Sequence, residues 1–231
     1  MQSAPPKIDL HEEFQSFLRA PGFPCVGAKS ALAAGKIETV IARDMRSAWD
    51  DLRLHERLAA FSAKLDETHD GFRSFIVLFE EPRRLDEKEF DALLWARLQS
   101  LRDKDHWLSY PYDARVARDP DRPDFAYSIG GQGYFVVGMH PGASRLSRRT
   151  PMPALAFNPF SQFEQLRRAG KYDRMSAVVR TRDAQLCGSP NPMLAHHGES
   201  SAARQFSGVM VDETWECPLT TRPAPAPSVR G

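Results

Sequence analysis

The strongest constraint on this chain is a pair of adjacent glycines. Gly130-Gly131 stands between two apolar, aromatic and β-branched runs, Phe125 to Ile129 and Tyr134 to Met139. A two-residue hairpin turn that matches the twist of its strands needs positive φ at both central positions, which glycine adopts without a Cβ clash. The pattern therefore predicts a β-hairpin and commits the chain to a sheet with antiparallel pairing.

The second arm leads into a chemically richer stretch. Tyr134 to Val137 reads as a buried strand that breaks at Gly138 and is followed by His140-Pro141-Gly142. A histidine at a strand end is held by a rigid backbone while the following turn lets its side chain face a cavity. Ser144, Arg145, Ser147, Arg148 and Arg149 come next, a guanidinium cluster suited to an anion. The alternative is a hydrogen-bonded core histidine beside solvated loop arginines, and the spacing alone leaves both open.

Around this hairpin, helix and strand patterns alternate. Asp9 to Arg19 has Leu10, Phe14, Phe17 and Leu18 at helical spacing, with Asp9 as N-cap and Glu12 and Glu13 in the first turn. A second helix is expected over 26–34, a strand over 37–43, a long amphipathic helix over 47–67 with Trp49, Leu52, Leu58, Phe61 and Leu65 inward, and a strand over 72–79. Asp86 caps a helix through Leu101. Residues 106–123 read as an irregular connection. A short strand over 154–157, helices over 161–168 and 173–185, and a short strand over 209–211 complete the pattern. The expected class is α+β, a mixed and largely antiparallel sheet with helices packed on it in one domain over 8–220. The ends, 1–7 and the proline-rich 221–231, are expected to be disordered.

Charge and cysteine usage narrow the function classes. The formal net charge is +1, from 31 basic and 30 acidic residues, so no global field favours nucleic acid or an anionic membrane. There is no signal-peptide pattern and no apolar run near the roughly 20 residues of a membrane span. Cys25, Cys187 and Cys217 are widely spaced without a C-x-x-C pair, which fits a reducing cytoplasm better than a disulfide framework.

The familiar catalytic signatures are absent: no P-loop, no G-x-G-x-x-G after a strand, no H-E-x-x-H and no G-x-S-x-G. His196-His197-Gly198-Glu199 offers histidine and carboxylate, but adjacent histidines in a loop seldom face one ion together. Cys25 follows Phe23-Pro24 at a predicted helix start, where the dipole lowers a thiol pKa; a small buried hydrophobe is the alternative.

Several blocks carry a family resemblance. FPCVGAKSAL, FAYSIGGQGYFVVGMHPGASRLSRR, FNPFSQFEQLRRAGKYDRM, VVRTRDAQLCGSPNPML, HGESSAARQFSG and WECP, in that order, resemble the YqcI/YcgG family over nearly the whole chain between its ends. Characterised members of that family are haem-dependent N-oxygenases that hydroxylate guanidine nitrogens of arginine-like substrates. The family's pattern has a histidine before x-Q-F-E, whereas this chain has Phe160. A lost ligand or proton relay there would alter activity, and a lost supporting group would change substrate choice.

The resemblance implies haem b, with one axial ligand, cations for the propionates and apolar walls. His140 is the expected iron ligand and Cys25 the other candidate, a thiolate of the kind that favours oxygen cleavage. Arg145, Arg148 and Arg149 are expected at the propionates, with Tyr134, Phe135, Phe157 and Phe160 at the walls. Glu164, Asp183 and Glu199 are the expected carboxylates for a guanidinium substrate; salt bridges to Arg167, Arg180 or Arg204 are the structural alternative. Oxygen and an external reductase are implied partners, since the chain shows no flavin or nicotinamide motif of its own, and homodimerisation is left open. A non-enzymatic haem-binding or haem-sensing protein, and a cofactor-free binder of a phosphate or carboxylate, are the rival readings.

Overall fold

The computed structural model describes residues 9–65, 71–194 and 199–220. Helices α1 (Leu10–Arg19) and α2 (Val26–Ala33) precede strand β1 (Ile37–Asp44), helix α3 (Asp51–Ala63), strand β2 (Ser74–Glu81) and helix α4 (Glu87–Trp107). Strands β3 (Tyr127–Ile129), β4 (Gln132–Met139) and β5 (Ala154–Pro159), then helices α5 (Phe160–Arg168) and α6 (Tyr172–Cys187), complete the order. Short 3-10 turns occupy Leu146–Arg148 and Ala202–Gln205.

The hairpin forms in the register its glycines dictate. Ile129 pairs with Gln132 and Tyr127 with Tyr134, and φ is 59° at Gly130 and 78° at Gly131. The five strands make one sheet in the order β1-β2-β5-β4-β3. Only β1 and β2 are parallel, and α3 connects them; β5 lies antiparallel between β2 and β4. The domain is α+β with a mixed, mostly antiparallel sheet, as expected.

Period-two alternation sends the two faces of the sheet into separate cores. Val40, Phe75, Val77, Val136, Leu155 and Phe157 pack with Leu54, Leu58 and Phe61 of α3 and Phe90, Leu94 and Leu98 of α4. Ile76, Leu78, Met139, Ala154 and Ala156 face the other way, against Leu10, Phe14 and Leu18 of α1. Burying each large side chain contributes roughly 1.5–3 kcal/mol before ordering entropy is counted. Gly138 belongs to the first face, where a Cβ would sit 2.5 Å from Leu94 Cδ1 and 2.7 Å from Phe90 Cε1. The break in the apolar run is thus where α4 comes closest to the sheet.

Helix ends follow local chemistry. Asp9 Oδ1 accepts from the His11 and Glu12 amides, and Asp86 Oδ1 from the Glu89 amide. The helix expected over 47–67 is shorter at its start, because Asp50 turns back to accept from the Arg43 amide and side chain. Trp49 and Leu52 are therefore exposed, at 78% and 44%, rather than inward, and the Arg43 guanidinium lies 5.2 Å from the Trp49 ring. The expected end of that helix, 66–67, lies outside the described residues. Helix α4 runs past Leu101 to Trp107, since buried Asp105 anchors that last part through His55 Nε2 at 2.8 Å and the Gly130 amide at 2.8 Å. Residues 209–211 form no strand. The ends expected to be disordered, and His196 and His197, fall outside the described residues. Among the described residues, no helix is long and apolar enough to cross a membrane.

Candidate functional site

A cavity of about 320 Å³ opens on the α1 side of the sheet, within the roughly 300–1,000 Å³ of small-molecule pockets. Its floor is the outward side of β2, β4 and β5, with Ile76, Phe135, Val137, Ala156 and Asn158. Phe14 and Leu18 of α1 and Cys25 at the start of α2 form one wall, and Phe160 and Phe163 of α5 form another. Helix α6 is the roof. Tyr172, Met175, Ser176, Val179, Arg180 and Asp183 recur at helical spacing along it and all face the cavity. Asp183 is the buried residue of that 16-residue helix, so the helix lays its inner stripe over empty space rather than over a packed core.

The polar groups of the walls are mostly tied down. Ser74 Oγ donates to Asn158 Oδ1 at 2.7 Å, Asn158 Nδ2 donates to the Phe135 carbonyl at 3.2 Å, and the Arg73 amide donates to Gln162 Oε1 at 2.9 Å. Asp183 accepts from Arg145 Nη2 on one oxygen and from Ser147 Oγ at 2.5 Å on the other. Arg167 pairs with Glu164 through Nε at 3.0 Å, and its guanidinium lies 5.3 Å from the Phe160 ring and 5.1 Å from that of Tyr172. Arg148 donates to the carbonyls of Gly138 (3.1 Å), Phe206 (2.9 Å) and Gln205 (2.7 Å). Burial pulls the Arg148 pKa down to about 10, still cationic at neutral pH.

Cys25 is the N-cap of α2, and its Sγ accepts from the Ala28 amide at 3.4 Å. Burial pushes its thiol pKa up, against the pull of the Ala28 and Gly27 amides. The helix-start placement expected from the sequence is correct. The lowered pKa is not, because desolvation outweighs the amides in the chain as it stands.

His140 is not part of the cavity. By the pleat of β4 it falls on the same side as Val136 and Gly138, facing α4, and its ring stacks on Phe90 with centroids 4.2 Å apart. It is 1% exposed, and Nδ1 has no hydrogen-bond partner. Burial lowers its pKa below the ordinary value. The core-histidine alternative describes this placement.

Of the expected site residues, the cavity brings together Cys25, Arg148, Phe160 and Asp183. Arg145 stands behind the wall, holding Asp183 and the carbonyls of Ser189 and Pro190. Arg149 is exposed and spends its donors on the Ala143 and Ser144 carbonyls. Glu164 is the ion-pair partner of Arg167 and Glu199 is exposed; neither is on the wall. The partner of Asp183 is Arg145 rather than the nearby Arg180. Phe157 and Tyr134 pack in the opposite core, where the Tyr134 hydroxyl meets Ser62 Oγ at 2.6 Å and only part of Tyr134 borders the cavity; Phe135 and Phe160 line it. Asn158, Ser74, Gln162 and the α6 stripe were not anticipated. Asn158 had a signal, a polar residue within an apolar strand, and the stripe had another, since Tyr172, Met175, Val179 and Asp183 share one helical face. Among the described residues, no group of three or more His, Cys, Asp or Glu is placed to hold a metal ion.

A sequence model of the YqcI/YcgG family matches residues 14–220, which include every wall of the cavity. The chain belongs to the YqcI/YcgG family. The uncharacterized protein YqcI of Bacillus subtilis (strain 168) is 30% identical over 166 residues, 69% of this chain and 64% of that protein. The chain thus spans somewhat under two thirds of that relative's length. No solved structure matches it. The YqcI/YcgG match runs through Cys25, Arg148, Phe160 and Asp183, so the cavity is built from the part of the chain that the family model describes.

Proposed function

We propose that this chain is a haem-dependent N-oxygenase of a guanidine or amine, with Cys25 rather than His140 as the iron ligand. The observation that carries the assignment is the placement of the Cys25 thiol. It sits at a helix N-terminus, accepts a backbone N–H, and faces an apolar cavity walled by Phe14, Phe135, Phe160 and Phe163. A ligating thiolate needs amide donors to hold its charge, and the Ala28 N–H already points at Sγ. In the haem-free chain, burial keeps the thiol protonated, so ligation releases that proton. His140 would have to leave its stack on Phe90 and cross to the other face of the sheet. Haem, when bound, supplies oxygen activation: one oxygen atom enters an N–H bond, and the other leaves as water with electrons and protons from an external donor.

The chain's own residues do the rest. The phenyl walls exclude water from the reacting nitrogen. Phe160 puts a hydrocarbon face where the family pattern has an imidazole, and the Arg167 guanidinium already lies over that ring. The substrate best suited to this wall is a guanidine or amine with an apolar body rather than free arginine.

The test is absorbance. Protein from haem-supplemented cells is expected to show a Soret band that Cys25→Ala loses and His140→Phe keeps, with both variants folded by circular dichroism. A wild type without haem refutes the function, and haem retained by Cys25→Ala but lost by His140→Phe refutes the ligand.

A further inference from the structure

We propose that Arg148 is a carboxylate anchor, so that the molecule held in this cavity is an amphipathic acid with an apolar body. The inference rests on the cavity's being the ligand site, as in the function proposed above, and it adds the ligand's charged group.

The charges on the walls make the case. The charged residues there are Arg148, Arg167, Arg180 and Asp183, three guanidinium groups to one carboxylate. Asp183 is already taken by Arg145 and Ser147, and Arg167 is matched by Glu164. Arg148 differs, because its hydrogen bonds go only to carbonyl oxygens, of Gly138, Phe206 and Gln205. Those three bonds leave two of a guanidinium's roughly five N–H donors without a protein partner among the described residues. Asp183 acts on Arg148 only at longer range, where the charge of Arg145 opposes it.

A guanidinium cannot discard its charge by deprotonating at neutral pH, so one half-buried on the wall of an apolar cavity, with donors unpaired among the described residues, favours an anion. Two remaining donors match the two oxygens of a carboxylate. Much of the remaining lining is phenyl and aliphatic surface, and Ser74, Asn158 and Gln162 on it are already hydrogen-bonded within the protein, which calls for an apolar body. Two sources fit the same chemistry: a propionate of a bound porphyrin, or a carboxylate of the substrate itself.

The experiment uses the haem-free full-length protein and titration calorimetry with 4-phenylbutyrate and its neutral amide. Wild type is expected to prefer the acid at least tenfold, Arg148→Met to lose that preference, and Arg148→Lys to keep part of it. Equal binding of acid and amide by wild type overturns the anchor without any variant, as does an acid preference that survives in folded Arg148→Met. Haemin and its dimethyl ester then separate the sources. A preference for haemin that depends on Arg148 assigns the anchor to a propionate, and equal uptake of the two assigns it to the substrate. If no haem binds while the acid preference stands, the oxygenase reading falls and the anchor remains.

Discussion

Asp183→Asn should loosen the roof of the cavity while leaving the sheet intact. Asp183 is the buried residue of α6, and its carboxylate joins that helix to the segment after β4 through Arg145 and Ser147. The two side chains of the ion pair are only 5% and 14% exposed, so removing one charge strands the other in a poorly solvated place. Breaking a buried pair costs about 3–5 kcal/mol when one partner is lost. Arg145 keeps the Ser189 and Pro190 carbonyls and asparagine keeps an acceptor, which brings the expectation to roughly 2–3 kcal/mol. That is roughly a 30- to 150-fold shift in the opening equilibrium of α6. Native-state hydrogen exchange should show residues 172–187 losing protection by this factor, with α4 amides unchanged, because α6 touches the rest of the protein along few elements. Combining Asp183→Asn with Arg145→Met removes both partners and should cost at least about 1 kcal/mol less than the sum of the single changes. Wild-type exchange in α6 of Asp183→Asn, or simple additivity in the double variant, refutes the latch.

Gly138→Ala should destabilise the protein by about 1–3 kcal/mol in urea unfolding, because the new methyl meets Leu94 and Phe90 at 2.5–2.9 Å; an unchanged midpoint refutes the close approach. His140 is buried with its pKa lowered, so between that value and the unfolded value near 6.5 the unfolded chain binds the extra proton and stability falls as pH falls. Melting curves from pH 7 to pH 5 should therefore drop more steeply for wild type than for His140→Phe, and parallel curves refute the assignment. Burial raises the thiol of Cys25 and pushes that of Cys217 up to about 11, so iodoacetamide at pH 8 should spare both in the haem-free protein; Cys25 reacting like a small free thiol refutes its burial.

The fold was legible where one local rule decided the outcome. Gly130-Gly131 specified its turn and register, and Asp9 and Asp86 specified helix starts, because each acts within a few residues. What failed depended on distant partners. Nothing near 101 says that α4 continues, since Asp105 is secured by His55 and Gly130, 50 and 25 positions away. Trp49 looked like core because its spacing fits a helix, yet Asp50 is committed to Arg43 and the helix starts after it. Residues 209–211 have strand composition, but a strand needs an edge to join, and the outer strands of this sheet are β1 and β3.

The site shows the same division more sharply, at a single strand. Residues 135, 137 and 139 of β4 share one side and 134, 136 and 138 the other, so the sequence already placed His140 with Gly138 rather than with Phe135. What it did not disclose is which side holds the cavity. That depends on α4 filling one face with Phe90, Leu94 and Leu98, while α6 spans the other with a stripe that buries little of itself. The strand-end histidine was the expected ligand and the helix-start cysteine the second candidate, and the structure puts the cysteine on the cavity wall and the histidine in the opposite core. The arginines divide by the same geometry. Arg145 and Arg149 turn to carbonyls and to Asp183 behind the wall, whereas Arg148, between them in sequence, reaches the carbonyl of Gly138 and so comes to the cavity with donors to spare. A cluster read as one anion site divides into one residue on the cavity wall and two braces behind it.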